Sequence, residues 1–364
     1  MVPTLLPVCT PTEREPTIRP WPFAVVEITR HTGHVGELPI LDMTSFRHDP
    51  DGPAAARFVS DILAAAHGPG FAYLSGHGVD PALDDRIFAS ARAFFALPAN
   101  DREAIAIDRS AAFRGYTMLG AEITNGRADW REQIDFGPEQ DAPPADALPA
   151  WRRLRGPNQW PASLPSMRPT VLDWMEALTG VGLTALRALA VGLGLDPHHW
   201  DIDFVPDADV HLKIIRYPAP APGTTDQGVG LHTDSGLLTF ILQDQAGGLQ
   251  VQLGDRLVDA PHVAGAYLMN LGETLETATD GYLRATPHRV VSPPTDQDRV
   301  SIAYFFNPRF DAPFEAIDLP PALAAAAPGA DHGGVGLSAY GENNLRIRLR
   351  SHPDVARRHY ADCT

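Results

Sequence analysis

Hydrophobic positions follow a helical spacing in the first half of the chain and a strand-like spacing in the second half. Residues 56–70 and 81–98 carry apolar side chains at helical intervals, and each run ends in glycine or proline. A longer run of the same kind predicts a helix over 166–193. Short extended runs at 37–43 and 71–79 predict strands between these helices. The first half is therefore expected to be mainly helical.

From residue 211 onward the pattern changes to short strand-like runs that Gly, Pro and Asp separate. These runs are HLKIIRYP, LLTFILQD, GLQVQL, AYLMNLG, HRVVS and RVSIAYFFN. Many short strands without intervening helices predict a double-sheet jelly roll or a barrel. Residues 111–137 predict a loop, and the tail at 345–363 predicts a final helix. The fold class that follows is α+β, in one integrated domain.

Composition narrows the possible partners and the compartment. The net charge of −16 argues against a nucleic-acid footprint, which needs a basic patch. Two cysteines, Cys9 and Cys363, give neither a disulfide framework nor a thiolate metal site. The N-terminus lacks a signal-peptide pattern, and no apolar run of about 18 residues predicts a membrane span. A cytoplasmic protein is expected, and the near absence of lysine indicates a GC-rich bacterial genome.

Three His-x-Asp pairs occur, beginning at 199, 232 and 352, and the middle one stands before an apolar run. Residues i and i+2 of a strand share a face, so His232 and Asp234 can converge on one point. His288, at the head of a later strand, can supply a third ligand. Two histidines and one carboxylate leave open positions, which suits non-haem Fe(II) oxygen chemistry. The other two pairs are interpreted as cap or turn residues.

A second group of polar residues supports this interpretation. Arg299 and Ser301 share a strand face by the same spacing. An arginine with a nearby hydroxyl can grip the far carboxylate of a dicarboxylate, and Tyr217 can add a phenolic donor. Each residue alone would be interpreted as structural. Together with the His-x-Asp pair and His288, they predict a metal site with an anionic cosubstrate.

The segments GLHTDSGLLTFILQDQAGGLQVQ, LMNLGETLETATDGYLRATPHRVV and DRVSIAYFFNP closely resemble the Fe(II)/2-oxoglutarate-dependent oxygenases of the isopenicillin N synthase-like family. The resemblance runs from about Leu38 to Tyr360. It implies a double-stranded β-helix (jelly-roll) core flanked by helices, mostly from the N-terminal half. It also implies Fe(II), 2-oxoglutarate and O2, with the metal held by His232, Asp234 and His288. The same resemblance assigns the distal carboxylate of 2-oxoglutarate to Arg299 and Ser301, and Tyr217 is expected to bind it with them.

The resemblance divides the chain into four parts. We expect an N-terminal extension, a helix-rich N-terminal module of the oxygenase, a long helix with the jelly-roll catalytic core, and a C-terminal helical tail. Their respective bounds are 1–36, 37–165, 166–310 and 311–364.

The implied reaction hydroxylates, desaturates or cyclises a small molecule and releases succinate and CO2. We expect a role in bacterial specialised metabolism, such as antibiotic biosynthesis, with neither nucleic acid nor membrane as partner. Side chains from the 113–136 loop, the later strands and the C-terminal helix are expected to contact the substrate. The candidates for contact with substrate or cosubstrate are Lys213, Arg114, Phe113, Tyr116, Phe305 and Arg309. Lys213 shares strand parity with Tyr217 and either points inward or lies at an edge.

Three alternatives stay open at this point. Arg216 precedes Tyr217, as in the isopenicillin N synthase branch, whose members use the Arg-x-Ser pair to grip substrate. The protein could therefore be an oxidase that does not use 2-oxoglutarate. It could also be an ethylene-forming-type enzyme that consumes 2-oxoglutarate itself. From another class, the fold could serve as a non-catalytic ligand-binding module.

Overall fold

The computed structural model describes residues 38–219, 226–293, 297–313, 315–329 and 340–363. The expected N-terminal extension, residues 1–36, lies outside the described residues. Most predicted elements occur close to their expected positions. The helix expected at 81–98, for example, begins at Pro81, where the Asp80 side chain accepts a hydrogen bond from the backbone N–H of Ala82 at 2.9 Å.

The helices of the first half pack on one another, and shorter helices follow each group of strands. In the described residues they are α1 Thr44–His48, α2 Pro53–His67, α3 Pro81–Phe95, α4 Ala99–Glu103, α5 Met167–Gly192, α6 Asp201–Phe204, α7 Glu273–Ala278, α8 Pro321–Ala324, α9 Tyr340–Ser351 and α10 Pro353–His359. Two short 3₁₀ turns lie at Ile107–Arg109 and Ala150–Leu154.

The strands fall mainly in the second half. In the described residues they are β1 Ile40–Asp42, β2 Phe71–Ser75, β3 Gly115–Thr117, β4 Ile123–Thr124, β5 Arg127–Ala128, β6 Glu132–Phe136, β7 His211–Tyr217, β8 Gln227–His232, β9 Leu238–Gln243, β10 Leu249–Leu253, β11 Arg256–Asp259, β12 Tyr267–Leu271, β13 His288–Val291 and β14 Arg299–Phe306.

Two sheets face each other and form the jelly roll. The larger has the strand order β1-β2-β12-β9-β14-β7-β6-β3, and the smaller has the order β11-β10-β13-β8. Their inner faces share one apolar cluster, in which Ile215 and Ala303 of the large sheet join Val251 and Val290 of the small sheet. The sequence-based prediction of a jelly-roll core flanked by helices is therefore confirmed.

Strand β14 shows how the large sheet separates its two faces. Ile302, Tyr304 and Phe306 pack into the helical core on the outer face. Ser301 and Phe305 alternate with them and point to the space between the sheets. This alternation directs the polar residues of β14 into the jelly roll.

Helix α5 is the central helix of the outer layer. By length and composition it could cross a membrane, although the sequence pattern predicted no such run. Half of its most apolar window is buried inside the fold, and it packs on α2, α3 and the large sheet. These contacts are those of a core helix.

Two segments differ from the sequence-based expectation. Residues 111–137 were expected to form a loop, but β3 and β6 extend the large sheet beside β7. The sequence pattern did not reveal β6 because the strand contains the charged residues Glu132 and Asp135. Both are buried, and each has a cationic partner. The C-terminal tail forms two helices rather than one, because Pro353 begins a new helix and cannot continue the preceding one.

Candidate metal centre and the surrounding cavity

A cavity of about 280 Å³ lies between the two sheets. Strands β7, β9 and β14 of the large sheet and β8 and β13 of the small sheet contribute to its wall. Helix α9 closes another side with the residues Tyr340, Asn344, Ile347, Arg348 and Ser351.

Three side chains of metal-ligand type converge in this cavity. His232 ends β8, Asp234 follows it, and His288 begins β13 directly opposite His232. The Nε2 atoms of His232 and His288 lie 3.8 and 3.9 Å from Oδ1 of Asp234. In the part of the chain that the structure describes, this is the one such group whose ligand atoms all lie within 4.8 Å of one another.

The convergence does not arise from strand parity, as the sequence suggested. Strand β8 ends at His232, so Asp234 lies in the following loop. The backbone N–H of Glu273 donates to the carbonyl of Asp234 at 2.7 Å, and a side chain on Gly272 would collide with the same loop. The start of α7 therefore holds Asp234 in place.

Each ligand-type side chain has one atom bound by the protein and another left facing the cavity. Nδ1 of His232 contacts the carbonyl of Gly230 at 2.9 Å, and Nδ1 of His288 contacts that of Thr286 at 3.2 Å. These contacts assign the proton to Nδ1 and leave the Nε2 lone pairs free.

The carboxylate of Asp234 is oriented in the same way. Thr239 Oγ1 and Asn270 Nδ2 donate to its Oδ2 at 2.5 and 2.8 Å. Oδ1 is then left to face the two imidazoles. Such support for a ligand is common around metal sites, where the outer partners fix the direction of the ligand atoms.

The electrostatics suit a divalent cation. Burial and the neighbouring His288 lower the pKa of His232 to about 4. Burial alone would raise the pKa of Asp234, but the two imidazoles and the hydrogen bonds from Asn270 and Thr239 together lower it. At neutral pH His232 is therefore a neutral imidazole and Asp234 an ionised carboxylate, the forms that ligate metals. Two imidazole nitrogens and one carboxylate oxygen aimed at one point fit Fe(II).

The other two His-x-Asp pairs have other partners. Asp201 forms an ion pair with Arg187, with Nη2 2.5 Å from Oδ2. Asp354 forms a largely exposed ion pair with Arg357.

Arg299 lies deeper in the same cavity and is only 1% exposed. Its Nη1 donates to Ser301 Oγ at 3.0 Å and its Nη2 donates to Gln243 Oε1 at 2.9 Å. The ring of Tyr217 lies 4.8 Å from the guanidinium carbon. Among the described residues no carboxylate lies within 4 Å of Arg299, and its Nε has no hydrogen-bond partner. A buried cation without a counter-charge is costly unless an anion joins it.

Gln243 is a site residue that the sequence analysis missed. It lies opposite Ser301 in the pairing of β9 with β14. Its Nε2 donates to the carbonyl of Ala260 at 2.8 Å, which turns Oε1 toward Arg299. A polar residue in an otherwise apolar strand run was the available signal.

A network of buried charged groups forms the other end of the cavity, where Lys213 points inward. We call this network the polar cluster. Its members are Glu122, Asp129, Arg131, Gln133, Asp135, Arg114, His211, Lys213 and His352.

Two carboxylates of the polar cluster are held by several donors each. Lys213 Nζ lies 3.0 Å from Asp135 Oδ1 and 3.3 Å from Glu122 Oε1. Burial alone would raise the pKa of Glu122, but Arg131 and Lys213 lower it to about 2. Lys213 also holds the pKa of Asp135 well below its usual range, against the effect of burial. Neither Glu122 nor Asp135 was predicted from the sequence.

His211 connects Asp135 to Arg114. Its Nε2 lies 2.8 Å from Asp135 Oδ1, and Arg114 Nη1 donates to its Nδ1 at 3.0 Å. Burial lowers the pKa of His211 well below its ordinary value, so the ring is neutral and carries its proton on Nε2.

Of the expected substrate contacts, Lys213 and Phe305 line the cavity. Phe113 and Arg114 do not. Phe113 is fully buried against Tyr360, with ring centroids 5.6 Å apart. Arg114 lies behind His211 and is 3% exposed. Both belong to the packing beneath the cavity.

Tyr116 and Arg309 also lie outside the cavity lining. The hydroxyl of Tyr116 donates to Glu132 Oε2 at 2.5 Å on the opposite side of β6 from Asp135. Arg309 Nη1 donates to the carbonyl of Ile202 at 2.7 Å, and its Nε pairs with Asp311 at 3.1 Å. Both side chains therefore bind partners within the protein and do not face the cavity.

Two family models match the chain. Residues 38–163 match the family described as non-haem dioxygenase in morphine synthesis N-terminal. Residues 209–308 match the 2OG-Fe(II) oxygenase superfamily. The second match contains the converging His-Asp-His group and Arg299.

Relatives and solved structures agree with these matches. The chain is 33% identical to 2-oxoglutarate-dependent dioxygenase frbJ of Dothideomycetidae sp. (strain 11243), over 87% of this chain and 90% of that protein. It is similar to a 2OG-Fe(II) oxygenase family structure from Caulobacter crescentus, with a TM-score of 0.72, 28% identity and coverage of 87% of this chain and 99% of that one. It is also similar to a Neurospora crassa protein in complex with alpha-KG and thymine, with a TM-score of 0.69, 26% identity and coverage of 86% and 97%.

The sequence match extends along nearly the whole of a 2-oxoglutarate-dependent dioxygenase, and the fold and the donor set agree with it. The oxidase that dispenses with 2-oxoglutarate and the non-catalytic module are therefore set aside. The chain belongs to the 2OG-Fe(II) oxygenase superfamily and is an oxidoreductase that uses Fe(II), 2-oxoglutarate and O2.

Proposed function

We propose that His232, Asp234 and His288 hold the Fe(II) and that Arg299, Ser301 and Tyr217 bind the distal carboxylate of 2-oxoglutarate. When bound, Fe(II) with 2-oxoglutarate and O2 supplies the oxidising chemistry, which releases succinate and CO2 and oxidises a C–H bond of the substrate.

The state of Arg299 carries the cosubstrate assignment. Its positive charge is buried without a carboxylate partner in the described part of the chain, while Ser301 and Gln243 fix the guanidinium in one orientation. A planar guanidinium binds a carboxylate through two parallel hydrogen bonds. The ring of Tyr217 lies against the guanidinium and restricts it further.

The chain's contribution to catalysis is orientation and exclusion of water. Thr239 and Asn270 hold Oδ2 of Asp234 so that Oδ1 faces the metal position. The carbonyls of Gly230 and Thr286 fix the two imidazoles in the tautomer that a metal requires. The apolar residues between the sheets, such as Ile241 and Leu249, line the same cavity and exclude water from it.

We propose that the substrate is a small molecule that is hydroxylated, desaturated or cyclised in specialised metabolism. Besides the metal and cosubstrate residues, the cavity is lined by Lys213 and Phe305, which leaves space for a second molecule besides 2-oxoglutarate. This extension favours oxidation of a separate substrate over an ethylene-forming reaction. The Neurospora crassa complex with thymine gives a structural neighbour that accommodates a small molecule beside alpha-KG.

We propose that the parts expected from the sequence divide the function of the chain among them. In this proposal the module 37–165 contributes Glu122 and Asp135 to the cavity wall. The core 166–310 contributes the metal and cosubstrate residues, and the tail 311–364 contributes the α9 side chains.

The proposal is tested by anaerobic titration of Fe(II)-loaded protein with 2-oxoglutarate, which gives a weak visible absorption band when the keto acid binds a protein-held Fe(II). We expect a band in the wild type, no band in His232→Ala, and an affinity at least about tenfold weaker in Arg299→Ala, because a charge-assisted pair is lost.

Arg309→Ala is the matched control, because Arg309 lies outside the cavity lining. It should titrate as the wild type does. An unchanged titration in Arg299→Ala would contradict the cosubstrate site. An unchanged band in a folded His232→Ala would contradict the metal site.

A further inference from the structure

Helix α9 presents one charged side chain to the cavity. Its cavity-facing positions are 340, 344, 347, 348 and 351, which follow helical spacing. Glu342, Arg346 and Arg350 point to solvent on the other side of the same helix. Arg348 therefore stands apart from the other charged residues of α9.

Within the described residues, Arg348 has no acidic partner. Its Nε donates to Asn344 Oδ1 at 3.1 Å, and its guanidinium lies 5.8 Å from the centre of the Phe113 ring. No carboxylate of the described chain lies within 4 Å of it, and neither terminal nitrogen donates a hydrogen bond to a described residue. Burial lowers the pKa of Arg348, as expected for a cation whose charge is not fully compensated.

The polar cluster beside Arg348 cannot supply the missing charge. Its three carboxylates, Glu122, Asp129 and Asp135, are matched by the three cations Arg114, Arg131 and Lys213. The histidines of the cluster are neutral at pH 7, because burial lowers the pKa of His352 to about 4 and that of His211 still more clearly. Arg348 thus adds one positive charge to a balanced cluster.

Arg348 and Arg299 lie at opposite ends of the cavity. In the pairing of β7 with β14, Arg299 lies opposite Tyr217, and Phe305 lies opposite His211. Phe305 lies six positions after Arg299 on β14, which corresponds to roughly 20 Å at the usual rise of a strand. Arg348 belongs to the His211 end, since its charge acts on the pKa of both His211 and His352. One 2-oxoglutarate molecule held by Arg299 cannot reach it.

We propose that Arg348 binds a carboxylate of the substrate, so that the enzyme oxidises an organic acid. This inference rests on the proposed function, in which 2-oxoglutarate occupies the Arg299 end. A single unmatched charge with a planar, bidentate donor set suits a monoanionic carboxylate. Arg348 then fixes the acid group at the α9 side of the cavity and directs the rest of the molecule toward the metal centre.

The test uses benzoate as the probe and benzamide as its neutral counterpart. Protein loaded with Fe(II) and saturated with 2-oxoglutarate is titrated anaerobically with each compound in a calorimeter. We expect the wild type to bind benzoate in preference to benzamide. Arg348→Gln should weaken benzoate binding by about tenfold or more, because a charge-assisted pair is removed.

Two further variants keep the test decisive. Arg350→Gln makes the same charge change on the solvent side of α9 and should bind benzoate as the wild type does. Arg348→Met removes the charge but keeps an apolar stem, and it replaces the glutamine variant if that protein does not fold. Benzoate binding that is absent in the wild type, equal to that of benzamide or unchanged in the Arg348 variants would overturn the inference.

The two proposals fail in different ways. If the Fe(II)-loaded wild type gave no band with 2-oxoglutarate, the proposed cosubstrate site would be contradicted. Benzoate titration of the Fe(II)-loaded wild type and Arg348 variants without 2-oxoglutarate would still decide the role of Arg348. A normal band in Arg348→Gln together with lost benzoate binding is the result expected when both proposals hold.

Discussion

The metal centre and the polar cluster treat their polar groups in opposite ways. At the metal centre, Asp234 has one oxygen held by Thr239 and Asn270 and the other left free. In the polar cluster, Asp135 accepts from Lys213, His211 and Gln133, so both of its oxygens are used. Buried polar groups in proteins nearly always have hydrogen-bond partners. A buried polar atom without a partner therefore indicates a position for a ligand, whereas a group whose polar atoms all have partners indicates a structural role.

The same comparison applies to the positively charged side chains, among which Arg299 and Arg348 differ from the rest. The other buried cations of the cavity, Arg131 and Lys213, each have at least one carboxylate partner. Arg299 and Arg348 have none among the described residues, although they lie at opposite ends. The contrast separates groups that bind ligands from groups that stabilise the wall, and three substitutions test it.

The largest effect on stability is expected for Asp135→Asn. The side chain is fully buried, and the change leaves Lys213 with only Glu122 as an acidic partner. Removing one member of a buried ion pair costs about 3–5 kcal/mol. Urea unfolding at neutral pH should show a decrease of this size in the free energy of unfolding. The iron content of the folded fraction should not change, because Asp135 does not contact the metal centre.

Asp311→Asn is the control for Asp135→Asn. Asp311 pairs with Arg309 but is about half exposed, so its loss should cost less than about 1 kcal/mol. Equal losses in the two variants would mean that the polar cluster does not act as a scaffold.

A smaller effect is expected at the metal centre for Thr239→Val. The shape of the side chain is nearly kept, but Oδ2 of Asp234 loses one of its two donors. Loss of such a supporting bond typically weakens metal affinity by about 10- to 100-fold. Competition with a chelator should measure this change in Fe(II) affinity, while unfolding of the metal-free protein should change far less than in Asp135→Asn.

Thr184→Val is the matched control, since Thr184 lies on the exposed side of α5 and bonds only to the backbone of its own helix. If Thr239→Val bound Fe(II) as tightly as this control, the bond from Thr239 to Asp234 would have no role in orienting the ligand.

The metal and cosubstrate residues could be predicted from the sequence because their signals are local. His232 and Asp234 are two residues apart, as are Arg299 and Ser301, and each pair stands at a recognisable strand run. The spacing identified the residues, but the physical reason for the first pair was wrong. Asp234 is placed by a loop that packs on Gly272, and no pattern within the strand encodes that contact.

The polar cluster could not be predicted because its parts come from distant segments. Glu122, Asp135, Lys213 and His352 lie on different elements and meet only after the sheet and α9 are assembled. Glu122 and Asp135 lie in a segment whose charges resembled a solvated loop. Buried charges are compensated by partners far along the chain, so polarity alone does not show whether a residue is exposed.

The smallest effect is expected from His352→Asn, and it appears only as a change in the pH dependence of the free energy of unfolding. His352 is buried beside Glu122, Lys213, Asp135 and Arg348, and burial lowers its pKa to about 4. The unfolded chain takes up the proton near pH 6.5 and the folded chain does not, so stability falls as the pH drops from about 6.5 toward 4. Between pH 6.5 and 5.5 this one group should lower the free energy of unfolding by about 1 kcal/mol.

Urea unfolding of the metal-free wild type and of metal-free His352→Asn at these two pH values measures the contribution of His352. The contributions of all other titrating groups are common to the two proteins and cancel. His352→Asn should lose about 1 kcal/mol less than the wild type, whereas the exposed substitution His48→Asn should follow the wild type. The cluster has no spare negative charge to favour an imidazolium, because its carboxylates are already matched by Arg131, Lys213 and Arg114. An identical pH dependence in wild type and His352→Asn would show that the folded protein protonates His352 readily. In that case the charge balance that leaves Arg348 unmatched would not hold.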